Sequence, residues 1–92
     1  MFTSIQSDGG VIRKVLRGQT DAFRVLVERY GNVVYGVAYA RIGNAADAEE
    51  IAQVAFVRLY QWLDRVAGRR TVGPWLVEVA RRCSKHNGRD QG

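Results

Sequence analysis

The sequence is poor in the residues from which reactive sites are built. It has one cysteine, Cys83, one histidine, His86, and one proline, Pro74. A lone cysteine excludes an intrachain disulfide and cannot by itself build a zinc site. Cys83 and His86 lack the third group that orients a nucleophilic pair. Glu49 and Glu50 are adjacent, so on a helix they point about 100° apart and do not share a proton. No phosphate-binding glycine loop and no repeated C-x-x-C occurs. No apolar run approaches the roughly 18 residues of a membrane span, and the N-terminus lacks the apolar stretch of a signal peptide. The expectation is a cytoplasmic, non-enzymatic protein with no catalytic residues, no cofactor and no metal.

What is present is charge of both signs, unevenly placed. The 92 residues suffice for one domain, and 47% hydrophobic with 25% charged is ordinary for a globular chain. The net charge is +5, but residues 44–64 carry four acids against one base, and residues 65–92 carry seven bases against two acids. An acidic stretch beside a basic one suggests two partners on two faces. The basic part is the electrostatic footprint expected for nucleic acid; a merely solvated charged surface is the alternative.

Hydrophobic periodicity predicts an all-α fold, a compact orthogonal or irregular bundle of one short and three longer helices. Residues 1–10 read as a flexible tail. Val11 to Arg17 forms a short helix stopped by Gly18, and Thr20 or Asp21 is placed to cap the next. That second helix runs to about Ile42 and is expected to bury Phe23, Leu26, Val27, Tyr30, Val33, Val34 and Val37. Gly31 and Gly36 mark a kink or a close helix approach. Tyr35 and Tyr39 lie off this stripe, either as packing residues or as platforms for single-stranded bases.

The third helix, capped by Asn44, spans Asn44 to Val66 in about six turns. Ala48, Ile51, Ala52, Ala55, Phe56, Leu59, Leu63 and Val66 make its apolar stripe, with Trp62 at the edge. Its opposite face holds Glu50, Gln53, Val54, Val57, Gln61 and Asp64. Two valines among acids and amides suggest a protein-docking surface, so Val54 and Val57 are candidate contacts. Asp47, Glu49 and Glu50 also favour the positive end of the helix dipole. A glycine-punctuated loop from Ala67 to Pro74 carries Arg69 and Arg70. In the fourth helix Trp75, Leu76, Val79, Ala80 and Cys83 are apolar, while Arg81, Arg82 and Lys85 gather on the other side, joined by Arg89.

Three blocks resemble one family. Asp47-Ala48-Glu49-Glu50 followed by Gln53 and Phe56 is similar to the D-A-E-D-x-x-Q-x-x-F signature in region two of bacterial extracytoplasmic-function (ECF) sigma factors. Trp75-Leu76-Val77-Glu78-Val79-Ala80-Arg81 resembles the W-L-x-x-I-A-R run that follows in that family. Gly18-Gln19-Thr20-Asp21-Ala22-Phe23 resembles its G-d-x-x-A-F opening. Together the blocks cover roughly residues 11 to 89, which are read as the region-two domain, with 90–92 as its end. The family's second, helix-turn-helix domain (region four) is absent, so the chain is read as an excised domain or a truncated relative.

The resemblance implies roles. The third helix would dock on the β′ clamp coiled coil of RNA polymerase core through Asp47, Glu50 and Gln53. The loop and fourth helix would open the minus-ten promoter element and hold flipped-out bases of the non-template strand. This maps onto Arg69, Arg70, Thr71, Arg81, Arg82, Lys85 and Arg89, and an anti-sigma protein is a further candidate partner. The sequence departs from the family at Arg82, where asparagine is usual, at His86, where aspartate is common, and at Gly73-Pro74. Two other classes therefore stay open beside a promoter-recognition domain. One is a stand-alone DNA-binding regulator; the other is a helical interaction module bound by an anti-sigma protein or lacking promoter function.

Overall fold

In the computed structural model the described residues are 7–66 and 72–91, with side chains described as far as Ser84. They form α1 (Asp8–Leu16), a 3-10 turn (Thr20–Ala22), α2 (Phe23–Ile42), α3 (Ala45–Gln61), α4 (Leu63–Val66) and α5 (Val72–Gln91). No strand occurs among the described residues, in line with the expected all-α bundle. α2 packs on both α3 and α5, α3 also packs on α5, and α1 closes the bundle against α2 and α4. Leu26, Val34 and Ala38 of α2 meet Ile51, Ala55 and Leu59 of α3 and Val72, Leu76 and Ala80 of α5 in one core, with Val11 and Ile12 of α1.

Local chemistry explains the main junction. Gly43 takes φ +73, the left-handed conformation that favours glycine, and its N–H donates to the Tyr39 carbonyl at 2.7 Å. The next residue, Asn44, is extended, and its Oδ1 accepts from the Asp47 N–H at 2.9 Å. One glycine and one asparagine thus end α2 and start α3.

Five expectations need correction. The first helix begins at Asp8, inside the segment read as a tail, because Ser7 accepts from the Gly10 N–H at 3.0 Å and caps it. Residues 1–6 lie outside the described residues. Neither Thr20 nor Asp21 caps α2; both fall in the 3-10 turn, and Ala22 precedes α2 without a side-chain cap. The third helix is interrupted at Trp62, whose N–H is shared between the Arg58 and Leu59 carbonyls at 3.0 and 3.2 Å. Its carbonyl accepts from Arg65 and Val66, so α4 resumes at once and still buries Leu63 and Val66. On α2, Val27 and Val33 are exposed, at 38% and 52%. Each is 100° from its buried neighbour, Leu26 or Val34, and the faces of α3 and α5 cover only that neighbour's side. Finally, Gly31 and Gly36 have open space where a Cβ would stand, and α2 is unbroken across both.

Two further details bear on stability. Ser84 is buried on α5, among residues expected to be apolar, and its hydroxyl donates to the Ala80 carbonyl at 2.7 Å. Asp8 reaches across to α2, where its carboxylate accepts from Arg29 Nη1 at 2.6 Å and from the Tyr30 hydroxyl. The hydrogen bond to the Asp8 carboxylate, helped by burial, raises the Tyr30 phenol above its ordinary value of 10.0.

Two measurements test this packing. Gly36→Ala should stabilise the fold by about 0.4–1 kcal/mol in denaturant unfolding, since its site is helical and open. Because the folded-state Tyr30 pKa is raised, its contribution is intact below the unfolded value and lost as pH rises through the folded one. Wild type should therefore lose stability above about pH 10 more steeply than Tyr30→Phe, measured by denaturation midpoints across that range.

Candidate protein and nucleic-acid interfaces

The outward face of α3 is the first candidate. Glu50, Gln53, Val54, Val57, Arg58 and Gln61 line one shallow depression of about 380 Å³. Their spacing of three, four, seven and eleven returns to the same side of a 3.6-residue helix. Val54 and Val57 are exposed at 37% and 54%, while the inward stripe of Ala48, Ile51, Ala55 and Leu59 is sealed in the core. The depression has an apolar floor between an acid, Glu50, at one end and a base, Arg58, at the other. It can receive a helical or extended partner segment with an apolar ridge and charges of both signs.

The structure thus brings together four of the five candidate contacts, Glu50, Gln53, Val54 and Val57. Asp47 does not line the depression. It sits one turn earlier, half-buried in the first turn of α3, where its backbone closes the Asn44 cap. Arg58 also lines the depression and was not among the candidate contacts. It lies four residues after Val54, so the helical spacing was available, but a lone base in an acidic stretch drew no attention.

An aromatic cluster flanks this face. The Phe23 ring, at the start of α2, stands edge-on to Phe56 at 6.5 Å and to Tyr60 at 5.3 Å. Phe56 is buried and Tyr60 half in solvent. These edge-to-face contacts join the C-terminal half of α3 to the start of α2.

A second candidate lies where α4 meets α5. Trp62, Arg65, Val66 and Trp75 line a cavity of about 250 Å³. The Arg65 guanidinium carbon stands 4.4 Å from the Trp62 ring centroid, a cation–π contact. Trp62 remains 46% exposed, because the interruption of the helix at this residue turns it outward while its neighbour Leu63 goes to the core. An exposed indole, a stacked guanidinium and a second indole make a surface suited to flat, electron-rich rings with attached negative charge. Neither Trp62 nor Arg65 figured among the candidate contacts. The available signal was their position, immediately before the basic loop, with the chain's other tryptophan immediately after it.

On α5, Trp75, Glu78 and Arg82 recur at i, i+3 and i+7 and so share one side of the helix. Arg82 Nε donates to Glu78 Oε2 at 3.1 Å in an exposed pair, which holds the guanidinium along that side. Such a pair contributes little to stability. Arg81 is also exposed but projects about 100° away, so the two arginines address different directions. Arg69, Arg70 and Thr71 lie outside the described residues, as do the side chains of Lys85 and Arg89. Tyr35 and Tyr39 stack on each other at 6.0 Å, Tyr35 half-buried against the core and Tyr39 46% exposed. Among the described residues no group of His, Cys, Asp and Glu is placed to hold a metal ion. None of their helices is long and apolar enough to cross a membrane.

Comparison with known proteins gives the family. Residues 26–92 match the family described as sigma-70 region 2. The chain is 38% identical over 69 residues to the ECF RNA polymerase sigma factor SigW of Bacillus subtilis, covering 75% of this chain and 37% of the relative. It is 32% identical over 72 residues to the ECF RNA polymerase sigma factor BldN of Streptomyces coelicolor, covering 77% and 27%. It is 28% identical over 82 residues to the RNA polymerase sigma-H factor of Pseudomonas aeruginosa, covering 89% and 42%. The chain therefore spans well under half the length of these relatives. No solved structure matches it significantly. The three blocks of the sequence, the helical bundle and this match over most of the chain agree: the protein belongs to the sigma-70 region 2 family, as a region-two domain of the ECF sigma-factor type.

Proposed function

We propose that this domain recognises promoters for RNA polymerase: it docks on the β′ clamp coiled coil through the outer face of α3 and holds the opened non-template strand of the minus-ten element. The family is one of transcription initiation factors and not of enzymes. The observation that carries the reading is the depression on α3, where Glu50, Gln53, Val54 and Val57 converge without any packing role in the domain. Exposed valines flanked by opposite charges suit a coiled-coil partner, whose outer rows offer charges of both signs on long aliphatic stems. An anti-sigma protein would be a competitor for the same face. On this reading the domain works with the polymerase in the cytoplasm.

For the strand, the Trp62–Arg65–Trp75 cavity supplies stacking, and Arg81 and Arg82 supply positive charge on the adjoining helix. Arg69, Arg70, Thr71, Lys85 and Arg89 belong to the same proposed interface by their place in the sequence. Phosphates would give salt-dependent affinity, and an unpaired base has a face that an indole can cover.

Two experiments separate the two halves of this reading. Titration of a labelled β′ clamp coiled-coil fragment should show saturable binding that Gln53→Ala with Val57→Glu abolishes, with helicity unchanged by circular dichroism. Retained binding by that variant would remove α3 as the dock. Separately, Trp62→Ala should weaken binding of a single-stranded promoter oligonucleotide by about 1–3 kcal/mol. Arg81→Glu with Arg82→Glu should reduce the slope of log affinity against log salt by about 1.4, the value for two phosphates on a single strand. An unchanged slope would mean that these arginines do not meet the strand.

A further inference from the structure

The start of α5 is held by an unusual contact. A Cβ placed on Gly73 would stand 3.0 Å from Tyr30 Cε1, 3.6 Å from Cδ1 and 3.7 Å from Cζ, so the edge of the Tyr30 ring lies against the Gly73 backbone. Gly9 and Gly10 face only residues of their own N-terminal segment, and Gly18, Gly31, Gly36 and Gly43 face open space. Among these seven glycines, Gly73 is thus the one pressed by a side chain from another helix. The far end of that ring is anchored as well. The Tyr30 hydroxyl donates to one Asp8 carboxylate oxygen, while Arg29 Nη1 donates to the other at 2.6 Å. The Asp8 and Arg29 side chains are only 20% and 30% exposed, so solvent screens the pair less than it would on an open surface. With its hydroxyl tethered and its edge on the backbone, the ring has little freedom to turn. Two residues beyond Gly73, Trp75 forms a wall of the cavity shared with Trp62, Arg65 and Val66.

We propose that Tyr30 is a positioning residue: clasped by Asp8 at the head of α1, its ring sets where the first turn of α5 lies and thereby where Trp75 stands opposite Trp62. The N-terminal helix then acts on the strand-binding cavity without touching it. Asp8 holds Tyr30, Tyr30 holds Gly73, and Gly73 carries Trp75. A larger residue at position 73 would displace the ring or the helix, and loss of the hydroxyl would let the ring swing away. The consequence for DNA rests on the reading that the cavity receives a promoter strand; the positioning itself does not.

The chain's only two tryptophans both line this cavity, so intrinsic fluorescence of the folded protein reports its geometry with no strand present. The variants are Tyr30→Phe, which keeps the ring and drops the hydroxyl, Asp8→Asn, and Gly73→Ala, all in the full 92-residue chain. The expected result is a shifted emission maximum and altered acrylamide quenching in all three at unchanged helicity. Single-strand affinity should fall about three- to tenfold, the worth of one hydrogen bond, and Tyr30→Phe with Asp8→Asn should be no worse than either alone. Asp8→Asn keeps the helix but removes the carboxylate charge that pairs with Arg29 and strengthens the Tyr30 hydrogen bond, so it decides the matter should Tyr30→Phe fail to fold. Variants that melt earlier yet keep wild-type emission, quenching and affinity would overturn the proposal and leave Tyr30 a packing residue. Shifted emission in a protein whose wild type binds no strand would uphold the positioning and count against the strand-binding function instead.

Discussion

Burial of Leu26, Val34 and Ala38 along α2, against α3 on one side and α5 on the other, is the constraint from which the rest of this domain follows. Once that seam is dry, the outward faces of α3 and α5 are fixed in direction, because a helix that buries one stripe must present the opposite one. Val54 and Val57 are outside for the same reason that Ile51, Ala55 and Leu59 are inside. The acidic helix and the basic helix are separate chain segments that share a core, so their charges are held apart on separate faces. A domain with no enzymatic machinery needs little more than this. On the proposed reading it has two surfaces to hold in a set relation, and a well-packed small core does that.

The cavity at Trp62 shows how a local irregularity is put to use. An uninterrupted helix through Val66 would carry Trp62 along the side of the apolar stripe. The single non-helical residue lets the chain keep Leu63 and Val66 in the core while Trp62 turns out beneath Arg65. The cation–π contact then holds the indole in a defined pose at the surface. On the other wall, Trp75 depends on where α5 begins, and that start is braced by Tyr30 from a different helix. Two walls, set by two unrelated devices, make one site.

Much of the exposed face of α3 was legible in advance because helical periodicity is a property of sequence alone. Val54 and Val57 stand out on a polar face by counting in steps of 100°, and the family-like block marks Glu50 and Gln53 beside them. Arg58 escaped because its charge opposes that of its neighbours, although its spacing is right. The cavity residues escaped for a deeper reason. Trp62 and Trp75 are 13 residues apart, one where α3 gives way to α4 and the other on α5, and no periodicity relates positions on separate helices. The second helix gave the same lesson in reverse: Val27 and Val33 are as apolar as Leu26 and Val34, yet only the placement of α3 and α5 decides which of each pair is covered.

By itself the sequence determined the all-α character, the inward stripe of α3, the Gly43–Asn44 junction, the separation of acidic and basic segments, and the family signature. All of these depend on near neighbours, on local backbone preference, or on composition, and need no knowledge of what packs where. Only the tertiary structure decided that Asp8 reaches Tyr30 across 22 residues of chain, that Tyr30 presses on Gly73, and that Trp75 and Trp62 line one cavity. Those contacts join residues whose separation along the chain carries no signal. They exist because side chains from different helices compete for the same space in one small core, and that competition is settled in three dimensions.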